Sequence, residues 1–147
     1  RVAYAAHCLN FSPDDIIINL QADEVGIKKC QPIKFIRAME ENNYHWATLV
    51  YGGNVKPSDV KAVIEDKTCK NFYRNNDSWG MKHIGVYAFR NSFLQYYASL
   101  KQTPRELAEN LEQLRGIENY HYPAAVFTEY PSFSINTLED YKAWIAQ

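Results

Sequence analysis

Hydrophobic positions along the chain alternate between short apolar runs bounded by polar turns and stripes at helical spacing, the mark of a chain that mixes strands with helices. The first run, Ile16-Ile17-Ile18, follows Ser12-Pro13-Asp14, turns polar at Asn19 and ends on Asp23-Glu24. A short run of β-branched residues reads as a strand buried on both faces, of the kind found at the centre of a parallel sheet. In open α/β sheets, ligands lie just beyond the carboxyl ends of such strands, which puts Asp23 and Glu24 where a ligand would sit. Solvating the strand exit is the competing role for these two carboxylates.

The remaining pattern follows in order. Residues 1–10 read as a helix end, with Asn10 as its stop. Pro32 opens a helix in which Ile33, Phe35, Ile36 and Met39 form an apolar face to about Asn42. Trp46 to Tyr51 is a strand ended by Gly52-Gly53, and Lys56-Pro57-Ser58-Asp59 is a turn. Val60 to Ile64 is a short strand that Phe72-Tyr73-Arg74 pairs with across the polar tip Glu65 to Lys70. Residues 75–80 form a loop, and His83 to Phe89 a strand with unlike faces: His83, Gly85, Tyr87 and Phe89 on one, Ile84, Val86 and Ala88 on the other. A helix covers Ser92 to Leu100. Thr103-Pro104-Arg105-Glu106 has capping-box spacing and opens a helix with a Leu107, Leu111 and Leu114 stripe, ended near Gly116. Ala124 to Phe127 is the last strand, and Asn136 caps a terminal helix with Glu139 three residues on. No repeat, linker or low-complexity segment interrupts this order. The pattern predicts a single α/β domain over residues 1–147, with a mixed, mainly parallel sheet flanked by helices.

Composition narrows the classes. With 46% hydrophobic residues in 147, the chain can bury a real core. Sixteen basic against seventeen acidic residues, with no run of one sign, give nucleic acid or an anionic membrane surface no electrostatic footing. No apolar stretch approaches the length of a membrane span, and no signal peptide is visible. Cys8, Cys30 and Cys69 are widely spaced and include no C-x-x-C pair, which fits a reducing, cytoplasmic setting rather than a disulfide framework or zinc site. The chain starts at Arg1 and passes straight into the helical Val2-Ala3-Tyr4-Ala5-Ala6, the pattern of a fragment whose earlier part has been lost.

No Walker loop, dinucleotide fingerprint, G-x-S-x-G or H-E-x-x-H occurs. Period two places His83 and Tyr87 on one face of their strand, with a structural histidine among the readings of that face. Glu112 and Gln113 lie off the leucine stripe, free for a ligand or for solvent. Read from its residues alone, the chain is an α/β ligand-binding domain with acidic strand ends.

The ordered segments DIIINLQADE, KPSDVKAVIED, FYR, KHIGVYAFR, TPRELAENLEQLRGIE and SINTLEDY resemble the 3-deoxy-manno-octulosonate cytidylyltransferase (CMP-KDO synthetase) family. KHIGVYAFR and LEQLR, at their fixed separation, are the specific parts. The resemblance implies a nucleotide-diphospho-sugar transferase-like, partly Rossmann-like fold. It also implies transfer of CMP from CTP to a 3-deoxy-ulosonic sugar acid with release of pyrophosphate, assisted by Mg2+ on carboxylates. By resemblance, Asp23 is the catalytic metal ligand, and Asn136 stands where the family carries the aspartate of a G-V-D-T-P-E-D motif. Asparagine offers magnesium a neutral carbonyl oxygen only, and serves equally well as a helix cap. The resemblance turns Gln21, Arg74, His83, Tyr87, Glu112 and Gln113 toward the sugar acid, with the planar fork of Arg74 on its carboxylate.

The departures from the family are also specific. Tyr73 replaces a serine beside Arg74, and Ala22 and Val25 replace the glycine and proline of Q-G-D-E-P. Arg1 matches an arginine that precedes the first helix. The loop between Arg74 and Lys82 is much shorter than in the family, and the first βαβ segment, with its R-L-P-G-K-P-L phosphate-gripping loop, has no counterpart. The expectation is the C-terminal two-thirds of a cytidylyltransferase domain, with most of a sugar half-site, part of a metal site and no CTP site, weak or inactive in cytidylyl transfer. The implied partners are CTP, the sugar acid and a second copy in a homodimer. Two alternatives stand beside this reading. One is a non-catalytic sugar- or partner-binding module of the same fold, and the other an enzyme for a sialic-acid-type nonulosonic acid, for which the short loop and Tyr73 would alter sugar choice.

Overall fold

The structure, a computed structural model, describes residues 1–74, 79–135 and 137–146. In chain order the elements are α1 (Val2–Cys8), β1 (Ile16–Leu20), β2 (Glu24–Val25), α2 (Cys30–Asn42), β3 (Trp46–Tyr51), β4 (Lys61–Glu65), β5 (Thr68–Tyr73) and β6 (Met81–Arg90). They continue with α3 (Asn91–Ser99), α4 (Pro104–Glu109), α5 (Gln113–Glu118), β7 (Ala124–Thr128), β8 (Phe133–Ser134) and α6 (Leu138–Ile145).

Six strands form one sheet in the order β1-β6-β3-β7-β5-β4, and β4 also pairs with β6, so the sheet is partly closed. Among the described residues only β3 and β7 run parallel; every other pair is antiparallel. The expected mainly parallel sheet is therefore not what forms, and β1 is not central: among the described residues it pairs only with β6. The reason lies in what an apolar run reports. Ile16 and Ile18 pack against the α2 side of the sheet, with Phe35 and Met39, while Ile17 packs on the opposite side with Ala6, Phe93 and Tyr97. Both faces are covered, so the run is continuous, but facial coverage fixes neither the direction nor the number of neighbours.

β6 behaves as its alternation predicts. Ile84, Val86 and Ala88 enter the core under α2, and Tyr87 and Phe89 join Trp46 and Tyr97 on the other face. A third cluster, with Val50, Cys69, Phe72, Leu111 and Leu114, fills the space between α5 and the β4–β5 hairpin. The hairpin turns at Asp66 and Lys67, both left-handed at φ 47° and 61°, the conformation that matches strand twist in a two-residue turn. All three cysteines are free thiols, and burial pushes that of Cys69 up to about 12, leaving an inert packing group.

The helix opened by Thr103 is two helices. Its capping box forms as expected, but Asn110 turns left-handed (φ 51°) and closes α4 after Glu109. Leu107 is 58% exposed and leaves the stripe, while Leu111, Leu114 and Ile117 turn into the third cluster. Gly116 does not end the helix; it lies inside α5, where a Cβ would come within 2.6 Å of Trp46 Cζ2 and 3.1 Å of the His121 carbonyl oxygen. Gly116→Ala should therefore destabilise the protein by about 1–3 kcal/mol through overpacking, against the roughly 1 kcal/mol that alanine normally gains in a helix. Urea unfolding of the two proteins checks this, and a stabilised variant would refute the close approach.

The cap of α6 also differs. Thr137 is the cap: its Oγ1 accepts from Asp140 N at 3.1 Å, and Asp140 Oδ2 accepts from Thr137 N at 2.9 Å. The frame has moved one residue from the expected Asn136 and Glu139 pairing, because a threonine followed by an acid three residues later satisfies both orphan amides. Asn136 itself lies outside the described residues. Among the described residues, no helix is long and apolar enough to cross a membrane.

Candidate active site

A cleft of about 1580 Å³ opens past the end of β1 and across the His83–Tyr87 part of β6. Its floor is shaped by a bulge. Tyr87 pairs with Thr48 and Ile84 with Leu49, so Gly85 and Val86 oppose no residue of β3. The bulge releases the Gly85 amide from the ladder, and it donates to Glu24 Oε1 at 3.0 Å.

His83 is buried. The Thr48 hydroxyl donates to Val86 O at 3.2 Å, so its oxygen accepts from His83 Nε2–H at 2.8 Å. The ring meets Phe72 edge-on and tilts against Tyr87. Burial drives the imidazole down to about 3, which makes it a neutral group at ordinary pH. Beside it, the Tyr87 hydroxyl accepts from Gln113 Nε2 at 2.5 Å, and burial holds the phenol far above its usual range. Tyr87 therefore keeps its proton and can donate it in a hydrogen bond.

Gln113 is buried against Tyr87, whereas the Glu112 side chain is 73% exposed at the rim. The start of α5 is fixed from two sides. Tyr97 donates to Glu112 O at 2.6 Å, and Arg115 grips Glu106 through both carboxylate oxygens, Nη2 to Oε1 at 2.5 Å and Nε to Oε2 at 2.9 Å. The guanidinium also lies over the Tyr97 ring. Hydrogen bonds from Arg115 are the main reason that the Glu106 carboxyl sits below the usual carboxylate range.

Cations in the cleft differ in their commitments. Lys82 Nζ is 3.4 Å from Asp59 Oδ1 and donates to Ser132 O at 3.2 Å, and Arg115 is held by Glu106. Arg74, just past β5, is exposed and has no ion pair with a described residue. Gln21 lies across Gly85, where a Cβ would fall 1.9 Å from its Oε1. Asp23 is half-buried; its carbonyl accepts from Ile135 N at 2.9 Å, and its carboxylate accepts no hydrogen bond from a described residue. Among the described residues no three His, Cys, Asp or Glu side chains cluster to hold a metal. One open carboxylate still fits magnesium, which takes one or two protein carboxylates and completes its shell with phosphate oxygens and water.

The fold thus brings Gln21, Asp23, Arg74, His83, Tyr87, Glu112 and Gln113 around one cleft. Sequence reasoning missed Thr48, Lys82 and Arg115. Thr48 had a signal, a hydroxyl inside the otherwise apolar Trp46–Tyr51, which when buried needs a partner. Arg115 had none, because its pairing with Glu106 crosses the break at Asn110.

This chain belongs to the cytidylyltransferase family, whose model, described as Cytidylyltransferase, matches residues 1–124. Within it, the chain is similar to 3-deoxy-manno-octulosonate cytidylyltransferases. It is 30% identical over 166 residues to that of Neisseria meningitidis serogroup A (strain Z2491) and 34% identical over 154 residues to that of Anaeromyxobacter sp. (strain Fw109-5). These alignments take in 95% of this chain but 65% and 62% of the relatives, so the chain spans just under two thirds of their length. A solved structure of CMP:2-keto-3-deoxy-manno-octonic acid synthetase complexed with CTP superposes with a TM-score of 0.83 at 28% identity, over 99% of this chain and 66% of that one. An inositol-1-phosphate CTP transferase from T. maritima, at 12% identity and a TM-score of 0.65, shares the fold. The α/β nucleotide-diphospho-sugar transferase fold is thereby established, in a mostly antiparallel, partly closed form.

Proposed function

We propose that the chain carries the sugar-acid half of an enzyme that couples CMP from CTP to a 3-deoxy-ulosonic acid and releases pyrophosphate. The observation that carries this reading is the meeting, in one cleft, of a guanidinium and a carboxylate that have no partner among the described residues with neutral hydrogen-bonding side chains. In the reaction, the anomeric hydroxyl oxygen of the sugar acid bonds to the α-phosphorus of CTP as the bond to the departing pyrophosphate breaks, and the hydroxyl proton passes to solvent. Arg74 takes the sugar carboxylate in its planar fork. His83, being neutral, adds no second positive charge there, so the carboxylate is matched by Arg74. Tyr87, fixed by Gln113, and the rim carboxylate of Glu112 orient the sugar hydroxyls, and positioning of this kind is most of what phosphoryl-type transfer asks of a protein. Magnesium, held by Asp23 with Asn136 as a neutral second donor, would neutralise the phosphates.

Calorimetric titration of the chain with 3-deoxy-manno-octulosonate tests the reading. Binding is expected, with Arg74→Ala weakening it about 10- to 100-fold, the weight of a charge-assisted bidentate contact. A sialic-acid-type nonulosonic acid bound more tightly would move the substrate class, and absence of heat with any sugar acid would overturn the reading. Binding of the sugar acid by a full-length version that binds no CTP with magnesium would leave a sugar-binding module of the same fold.

A further inference from the structure

We infer that Glu24 is a positioning residue, a latch that fixes the short ribbon carrying Asp23 against the strand carrying His83 and Tyr87. The ribbon is the β2–β8 pair, with Glu24 opposite Ser134 and Val25 opposite Phe133. It stands apart from the main sheet and needs a tie. Glu24 Oε1 supplies one, accepting from Gly85 N across to β6 and from Ser134 Oγ within the ribbon, both at 3.0 Å. Two backbone bonds complete the joint: Gln21 N donates to Gly85 O at 3.1 Å, and Glu24 N to Gln21 O at 3.1 Å.

Several independent features serve this contact. The bulge is what frees the Gly85 amide to turn away from β3. Gly85 has no side chain to hold the ribbon off, and a Cβ there would lie 3.2 Å from Glu24 Cγ. His83 and Tyr87 flank Gly85 two residues to either side, so the latch bears on the point of β6 midway between them. Asp23 is adjacent to Glu24 in the chain. The other carboxylate oxygen, Oε2, is buried with no hydrogen-bond partner among the described residues, so a single oxygen makes both contacts. The metal-side carboxylate and the sugar-side pair are thus joined through one side-chain acceptor atom, beside the Gln21–Gly85 backbone bond and the Lys82 bond to Ser132 O.

The role of the latch in substrate binding rests on the proposed function; the latch itself does not, and the test separates them. Glu24→Gln keeps an oxygen acceptor, Glu24→Ala removes it, and Ser134→Ala removes one donor while leaving the Gly85 contact. Hydrogen exchange at the Gly85 amide, followed by NMR, and the Kd for 3-deoxy-manno-octulosonate are measured for each. With Glu24→Ala, Gly85 exchange should accelerate by about tenfold or more and the Kd should rise by about tenfold, the cost of a misplaced site. Glu24→Gln should restore both to within about threefold, and Ser134→Ala should leave Gly85 protected. Unchanged Gly85 exchange in a folded Glu24→Ala protein would overturn the latch. Failure of Glu24→Gln to restore the Kd while Gly85 stays protected would overturn positioning in favour of a direct charged contact. If the unaltered chain binds no sugar acid, the proposed function fails, and Gly85 exchange alone decides the latch.

Discussion

Acidification from about pH 7.5 to about pH 5 is expected to remove about 2 kcal/mol of stability through His83 alone. The imidazole is buried against Thr48, Phe72 and Tyr87, and its pKa falls from 6.5 to about 3. In the unfolded chain it takes up a proton near its ordinary value, but in the folded protein it does not. The unfolded state therefore binds more protons between those two values, and stability declines as pH falls, by up to roughly 1.4 kcal/mol per pH unit. Above the ordinary histidine range the contribution is complete. Urea midpoints at several pH values measure the slope, and His83→Gln should flatten it whatever that change does to the absolute stability. An identical slope in the variant would mean that His83 is reached by solvent and protonates in place.

The second large effect concerns the joint between α4 and α5. Glu106→Ala should cost about 3 kcal/mol, because it leaves the Arg115 guanidinium, only 11% exposed, with the exposed Glu112 carboxylate at 3.7 Å in place of its two-point partner. The double change Glu106→Leu with Arg115→Met should recover much of that loss, since neither charge is then stranded. Glu106 also completes the capping box through Thr103, so part of the loss is a lost cap. The pH signature is distinct from that of His83. The carboxyl lies below the usual carboxylate range, so its contribution is present above that range and disappears as pH falls through the lower folded value. Thermal or chemical denaturation of the single and double variants checks both statements. A double variant no better than Glu106→Ala would show that the cap, rather than the charge pair, dominates.

Much of the element order was legible because its signals are local. Trp46–Tyr51 forms the strand that its composition marks, the capping box at Thr103 forms, and the alternation of β6 sorts its two faces correctly. What the chain does not announce is which strands become neighbours. Ile16–Ile18 has the composition of a central parallel strand and forms an antiparallel one paired on a single side, since side-chain period encodes faces and not partners. The break at Asn110 was within reach, because asparagine is the usual substitute for glycine at a left-handed helix end. The site was legible mainly through family resemblance. Periodicity alone put His83 beside Tyr87, but nothing local joins Gln113 to Tyr87 or Gly85 to Glu24, which are distant in the chain and meet only when the sheet forms.

The partial closure of the sheet bears on how the chain reaches its native state. β6 is bonded to β1, β3 and β4, and the one parallel contact joins β3 to β7 from opposite halves of the chain. The β4–β5 hairpin has a two-residue turn and can form within microseconds, before anything else in the sheet. Every remaining pairing must wait for distant segments to meet, a loss of chain entropy that comes before any gain in contact energy. Docking of β6 and β7 around β3 is therefore the expected slow step of folding. The cleft, which spans β6, the β2–β8 ribbon and α5, is complete only at the end of that sequence.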